Sequence, residues 1–72
     1  MNRYDGLENA VAVVTGAARG LGATLAARFA DQGARLVIND VDRAGLAETA
    51  DRLALGPDRL VVAPADLADV AA

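Results

Sequence analysis

The segment Thr15-Gly16-Ala17-Ala18-Arg19-Gly20-Leu21-Gly22 places three glycines within seven residues. Glycine needs no room for a Cβ and accepts positive φ, so such a run lets a backbone turn sharply and lets another molecule come close. The apolar run 10–15, Ala-Val-Ala-Val-Val-Thr, precedes it, and a stretch with helical periodicity follows. Between a strand and a helix each glycine has a separate task. Gly16 permits the turn off the strand, Gly20 lets the backbone approach a pyrophosphate, and Gly22 lets the helix pack tightly on the sheet. The first N–H groups of the helix, at the positive end of its dipole, would face the phosphates. A side chain at Gly20 would stand where that ligand belongs. A purely structural glycine turn is the alternative reading of the loop taken alone. A Walker A loop is excluded, because no Gly-Lys-Ser/Thr follows and the chain has no Lys.

The elements that would position this loop can be read on either side of it. Residues 10–15 form a short β-branched run suited to a buried strand. Residues 20–32 suit a helix, with Leu21, Leu25 and Phe29 recurring every four positions as its apolar stripe. Gly33 falls where a helix ends in a left-handed residue. Residues 35–39 read as a second strand centred on Leu36-Val37-Ile38. Asp42 is a plausible N-cap for a second helix reaching about Leu55, with Leu46, Ala50 and Leu53 on one face. Gly45 in its first turn weakens that start. Gly56-Pro57-Asp58 is a stop signal, and residues 60–63, Leu-Val-Val-Ala, form a third strand. Asp66 would cap the start of a third helix. Strands alternating with helices imply a parallel sheet. The expected fold is therefore α/β: a Rossmann-type β-α-β-α-β unit, the N-terminal half of a doubly wound parallel sheet. It forms one partial domain over 1–72, with 1–9 as lead-in.

Thr15, Gly16, Gly20 and Gly22 match every fixed position of Thr-Gly-x-x-x-Gly-x-Gly, the cofactor signature of the short-chain dehydrogenase/reductase family. The stretch Gly33-Ala34-Arg35-Leu36-Val37-Ile38-Asn39-Asp40 looks like that family's second strand, and Asp66-Leu67 resembles the pair after its third. The resemblance covers nearly the whole chain. It implies a nicotinamide cofactor held by Gly16, Arg19, Gly20, Leu21, Gly22, Asp40, Asp66 and Leu67. Asp40 lies 24 positions after Gly16, where a carboxylate can accept both adenosine ribose hydroxyls and repel a 2′-phosphate. That favours NAD over NADP. A solvated loop residue or a helix cap is the other reading of Asp40, although Asp42 is the better cap. Arg19 is ambiguous, since an arginine in this loop occurs in relatives using either cofactor. The resemblance gives Asp66 to the adenine amino group and the Leu67 N–H to adenine; Asp66 as a helix cap is equally compatible. Arg28, Arg35, Arg43, Arg52 and Arg59 read as solvated charges.

The family's reaction uses a Tyr-x-x-x-Lys pair and a Ser. This chain has neither Lys nor Ser, and its one Tyr, Tyr4, is followed four residues later by Glu8. No catalytic residue is therefore assigned. The expectation is an N-terminal portion of a longer oxidoreductase that moves hydride between cofactor and an alcohol or carbonyl compound, the complete enzyme being a homo-oligomer. A non-catalytic nucleotide-binding or protein-association module is the competing class. A net charge of −3 without a basic tract argues against nucleic acid. The absence of Cys and His excludes a zinc site of the usual ligands. No apolar run is long enough to span a bilayer, and a cytoplasmic location is expected. If both complete helices cover one sheet face, the other face is left bare in these residues.

Overall fold

The computed structural model describes residues 10–65. Its elements run β1 (Val11–Thr15), α1 (Gly20–Asp31), β2 (Arg35–Asn39), α2 (Arg43–Leu53) and β3 (Leu60–Ala63). The strands form one parallel sheet in the order β1-β2-β3. This is the expected β-α-β-α-β half of a Rossmann-type sheet. Among the described residues no helix is long and apolar enough to cross a membrane. The expected third helix after Asp66 lies outside the described residues.

The β-branched and aliphatic residues of β1 and β2 suit a pleated, half-buried surface. Their alternation divides the sheet into two faces. Ala12, Val14, Leu36, Ile38 and Leu60 face both helices and join Ala26 of α1 and Leu46 of α2 in the core. On the opposite face Val11 is 61% exposed, Val13 64% and Val61 54%. Val13, Val37 and Val61 stand side by side there in register. Two same-handed crossovers stepping in one direction place both helices on one side, so this face is bare among the described residues.

Helix α1 turns the Leu21/Leu25 stripe outward, contrary to the periodicity reading. Leu21 is 74% exposed and Leu25 is also exposed, while Ala26 is fully buried. The inward row is Gly22, Ala26 and Ala30, spaced by four, with Phe29 packed beside it. A Cβ on Gly22 would strike the Gly16 carbonyl oxygen and lie 3.2 Å from the Ala17 Cα. The first turn of α1 thus presses against the backbone of the preceding loop, and only a row of small residues fits such close approach. Gly22 therefore admits the helix to the loop rather than to the sheet itself.

The C-terminus of α1 closes as expected at Gly33 (φ +89°). The Ala34 N–H donates to the Phe29 carbonyl at 3.1 Å and the Gly33 N–H to Ala30 at 3.0 Å, the paired pattern of a Schellman cap. Arg59, read as a solvated charge, completes this end. Its Nη2 donates to the carbonyls of Ala30 at 2.9 Å and Ala34 at 3.0 Å, placing a cation where the helix dipole is negative. Helix α2 starts as predicted, the Asp42 Oδ1 accepting the Gly45 N–H at 3.0 Å. It ends earlier than the Gly56-Pro57 signal suggests: Ala54 takes the left-handed conformation (φ 54°) as C-cap, with its N–H on the Ala50 carbonyl at 3.2 Å.

Candidate functional site

Thr15, Asn39 and Ala63 end the three strands in register. The loop after Thr15 and the acid after Asn39 therefore meet at the carboxyl edge of the sheet, where open parallel sheets bind ligands. Gly16 (φ +65°) and Gly20 (φ +64°) both occupy the left-handed region that favours glycine. Among the described residues a Cβ on either would meet nothing within 4 Å, which leaves room above both for another molecule.

The first half of the loop is tied down at several points. The Ala17 N–H donates to the Asn39 carbonyl at 3.0 Å. The Ala18 N–H donates to Asp40 Oδ2 at 3.0 Å. The Thr49 hydroxyl, on α2, donates to the carbonyls of Ala17 at 2.8 Å and Ala18 at 3.2 Å. Ala17 and Ala18 are buried.

The second half differs. Arg19, the residue before α1, is extended (φ −166°) and makes no side-chain capping bond, and the first turn of α1 has no acidic residue. The first N–H groups of a helix have no partner within it. Those of α2 receive the Asp42 carboxylate, whereas among the described residues those of α1 receive no side-chain cap. The start of α1 is thus an exposed cluster of donors at a positive dipole end, beneath open glycines, which fits a phosphate.

Asp40 is neither a helix cap nor freely solvated. Besides Oδ2 on Ala18, its Oδ1 accepts the Asp42 N–H at 3.0 Å. The N–H of Asp42, followed by those of Ala18 and Val41 and the Arg19 charge, holds its carboxyl below the ordinary 3.8, partial desolvation opposing them. A carboxylate oxygen has two lone pairs, so each oxygen keeps acceptor capacity for a ligand. The arrangement sets a fixed anion beside the N–H donors at the start of α1. It thus brings Gly16, Arg19, Gly20, Leu21, Gly22 and Asp40 to one edge. Asp66 and Leu67 lie outside the described residues.

Three contributors escaped the sequence reading. Asn39 is buried and donates through Nδ2 to the carbonyls of Ala63 at 2.8 Å and Ala65 at 2.7 Å, tying the chain after β3 to the same edge. An amide ending an apolar strand was the available signal. Thr49 is a hydroxyl on the face it shares with Leu46 and Leu53. Gly45, which seemed to weaken α2, has a reason: its Cβ would come within 2.6 Å of Asp42 Oδ2 and 2.9 Å of the Ala18 Cβ. The glycine lets the start of α2 approach the loop.

Comparison with known proteins agrees with this architecture. The family model described as short chain dehydrogenase matches residues 10–72. The chain is 43% identical over 67 residues to the (2S)-[(R)-hydroxy(phenyl)methyl]succinyl-CoA dehydrogenase subunit BbsD of Thauera aromatica, covering 93% of this chain and 27% of that protein. It is 46% identical over 66 residues to 1-deoxy-11-beta-hydroxypentalenate dehydrogenase of Streptomyces avermitilis, covering 92% and 24%. It is 42% identical over 64 residues to 2,3-dihydroxy-2,3-dihydro-p-cumate dehydrogenase of Pseudomonas putida, covering 88% and 25%. The chain thus spans about a quarter of the length of these curated relatives. With the glycine loop, the parallel β-α-β-α-β order and a match over residues 10–72, the chain belongs to the short-chain dehydrogenase family of oxidoreductases.

Proposed function

We propose that this chain binds the adenosine and pyrophosphate portion of a nicotinamide dinucleotide, NAD in preference to NADP, for an oxidoreductase acting on an alcohol or carbonyl compound. The observation that carries the reading is the α1 N-terminus, which among the described residues has no side-chain cap and lies beneath open space over Gly16 and Gly20. The pyrophosphate lies over Gly16 to Gly22 and takes the N–H groups of the first turn, with Leu21 contributing its own. Asp40 accepts the adenosine ribose hydroxyls. Its position is set by Ala18 and Asp42, and like any aspartate it is anionic at neutral pH, with the two N–H groups further favouring that form. A 2′-phosphate would meet that charge directly, and Arg19 beside it is a single counter-charge. Asp66 and Leu67 contact adenine, as the family resemblance implies.

When bound, the nicotinamide supplies the hydride acceptor or donor. The residues of this chain hold and orient its adenosine end, and they include no Ser or Lys to move a proton. The relatives named above are dehydrogenases of hydroxyl-bearing compounds, which supports the alcohol/carbonyl class. Calorimetry on the full-length protein tests the proposal. NAD should bind more tightly than NADP, Gly20→Val should abolish binding of both while the protein stays folded, and Asp40→Ser should move preference toward NADP. Tighter binding of NADP by the unaltered protein would overturn the NAD assignment, and unchanged NAD affinity in Gly20→Val would overturn the placement.

A further inference from the structure

Thr49 is only 2% exposed, on the α2 face shared with Leu46 and Leu53, both part of or packed on the apolar core. Nothing in that packing requires a hydroxyl, since valine has nearly the same shape. Threonine inside a helix often bonds the carbonyl four residues back, as Thr24 does with Gly20 at 3.2 Å. Thr49 instead reaches the loop carbonyls of Ala17 and Ala18, 32 and 31 residues away. One hydroxyl proton is shared between them.

The consequence follows from peptide geometry. In a trans peptide the C=O and the next N–H point in opposite directions. The Ala17–Ala18 peptide is held at both ends, its carbonyl by Thr49 and its N–H by Asp40. Among the described residues the Ala18–Arg19 peptide is held only at its carbonyl, by Thr49. Its N–H therefore points away from α2, at the point where the chain turns into the donors at the start of α1. We propose that Thr49 is a positioning residue for phosphate binding: its hydroxyl fixes the orientation of these two peptides and so presents the following N–H groups to a pyrophosphate. This rests on the reading of the loop as a dinucleotide site.

The test uses full-length protein, with NAD and ADP-ribose measured by calorimetry and adenosine by saturation-transfer NMR. Thr49→Val should raise the Kd of NAD and of ADP-ribose about three- to tenfold, the usual worth of one hydrogen bond. Adenosine, which has no phosphate, should bind as before. Thr49→Ser keeps the hydroxyl and should bind NAD within about twofold of the unaltered protein. If Thr49→Val does not fold, Thr49→Ala takes its place. Wild-type NAD affinity in the hydroxyl-free variant overturns the inference. So does an equal loss of adenosine, or a Ser variant that folds but binds as weakly as the Val variant. Failure of the unaltered protein to bind NAD or ADP-ribose overturns the dinucleotide reading as well, which separates the two failures.

Discussion

Asp40 Oδ2 accepts the backbone N–H of Ala18 at 3.0 Å, a bond between residues 22 positions apart. The acid expected to face a ribose is therefore also an anchor of the glycine loop. Through Oδ1 and Asp42 it fixes the approach to α2 as well. Loss of this carboxylate would alter the shape of the loop together with the charge beside it.

A pH dependence follows from that double role. The folded-state pKa of Asp40 is depressed by the N–H groups of Asp42 and Ala18. Its contribution to stability is therefore present above the ordinary value of 3.8 and is lost as pH falls through the lower folded value. The thermal midpoint of the full-length protein should exceed that of Asp40→Asn at neutral pH, and the gap should close below about pH 4. A gap that stays constant from pH 7 to pH 3 would show that the carboxylate charge holds nothing.

Gly22 and Gly45 both permit close approach, and they should respond differently to alanine. At Gly22 the obstacle is the Gly16 carbonyl, backbone that cannot move aside. Gly22→Ala should cost about 1–3 kcal/mol or more, by overpacking. At Gly45 the nearest atom, at 2.6 Å, is on the Asp42 carboxylate, a side chain that can swing away and give up its cap at about 0.5–2 kcal/mol, but the buried Ala18 Cβ at 2.9 Å must also give way. Alanine returns about 1 kcal/mol of helix propensity there. Denaturant midpoints should fall for both variants and further for Gly22→Ala, whose clash is with backbone at shorter range; the reverse order would contradict this packing.

Ala54 ends α2 at φ 54°. A left-handed alanine carries about 1–2 kcal/mol of strain that glycine relieves, less the extra freedom glycine has when unfolded. Ala54→Gly should raise stability by about 0.5–1 kcal/mol. A fall in the denaturant midpoint would count against the left-handed cap.

The sheet face left bare among the described residues sets the expectation for residues 1–72 expressed alone. Val11, Val13 and Val61 expose apolar surface opposite the helices, and an uncovered flat sheet invites association. Sedimentation should show concentration-dependent self-association, reduced when Val13 and Val61 are changed to Thr. A monomer at all concentrations with a sharp cooperative melt would show that the core on the helix side suffices.

The sequence by itself determined the order of elements, the parallel sheet, the glycine loop, the Asp42 cap and the Gly33 stop. Each rests on local chemistry: β-branched runs, glycine conformations, and side chains that meet backbone three residues away. Tertiary structure decided which face of α1 turns inward. Periodicity finds an apolar stripe without knowing its neighbour, and here close contact between Gly22 and the Gly16 backbone favours a row of small residues over Leu21 and Leu25. It also decided the partners of Asp40, Thr49 and Arg59. The bonds of Asp40 to Ala18, of Thr49 to the loop and of Arg59 to the end of α1 join residues 22 to 32 positions apart. No local pattern marks an acid, a hydroxyl or a guanidinium as bound to a distant backbone, because those bonds exist only once the crossovers have brought the loop, α2 and the end of α1 together.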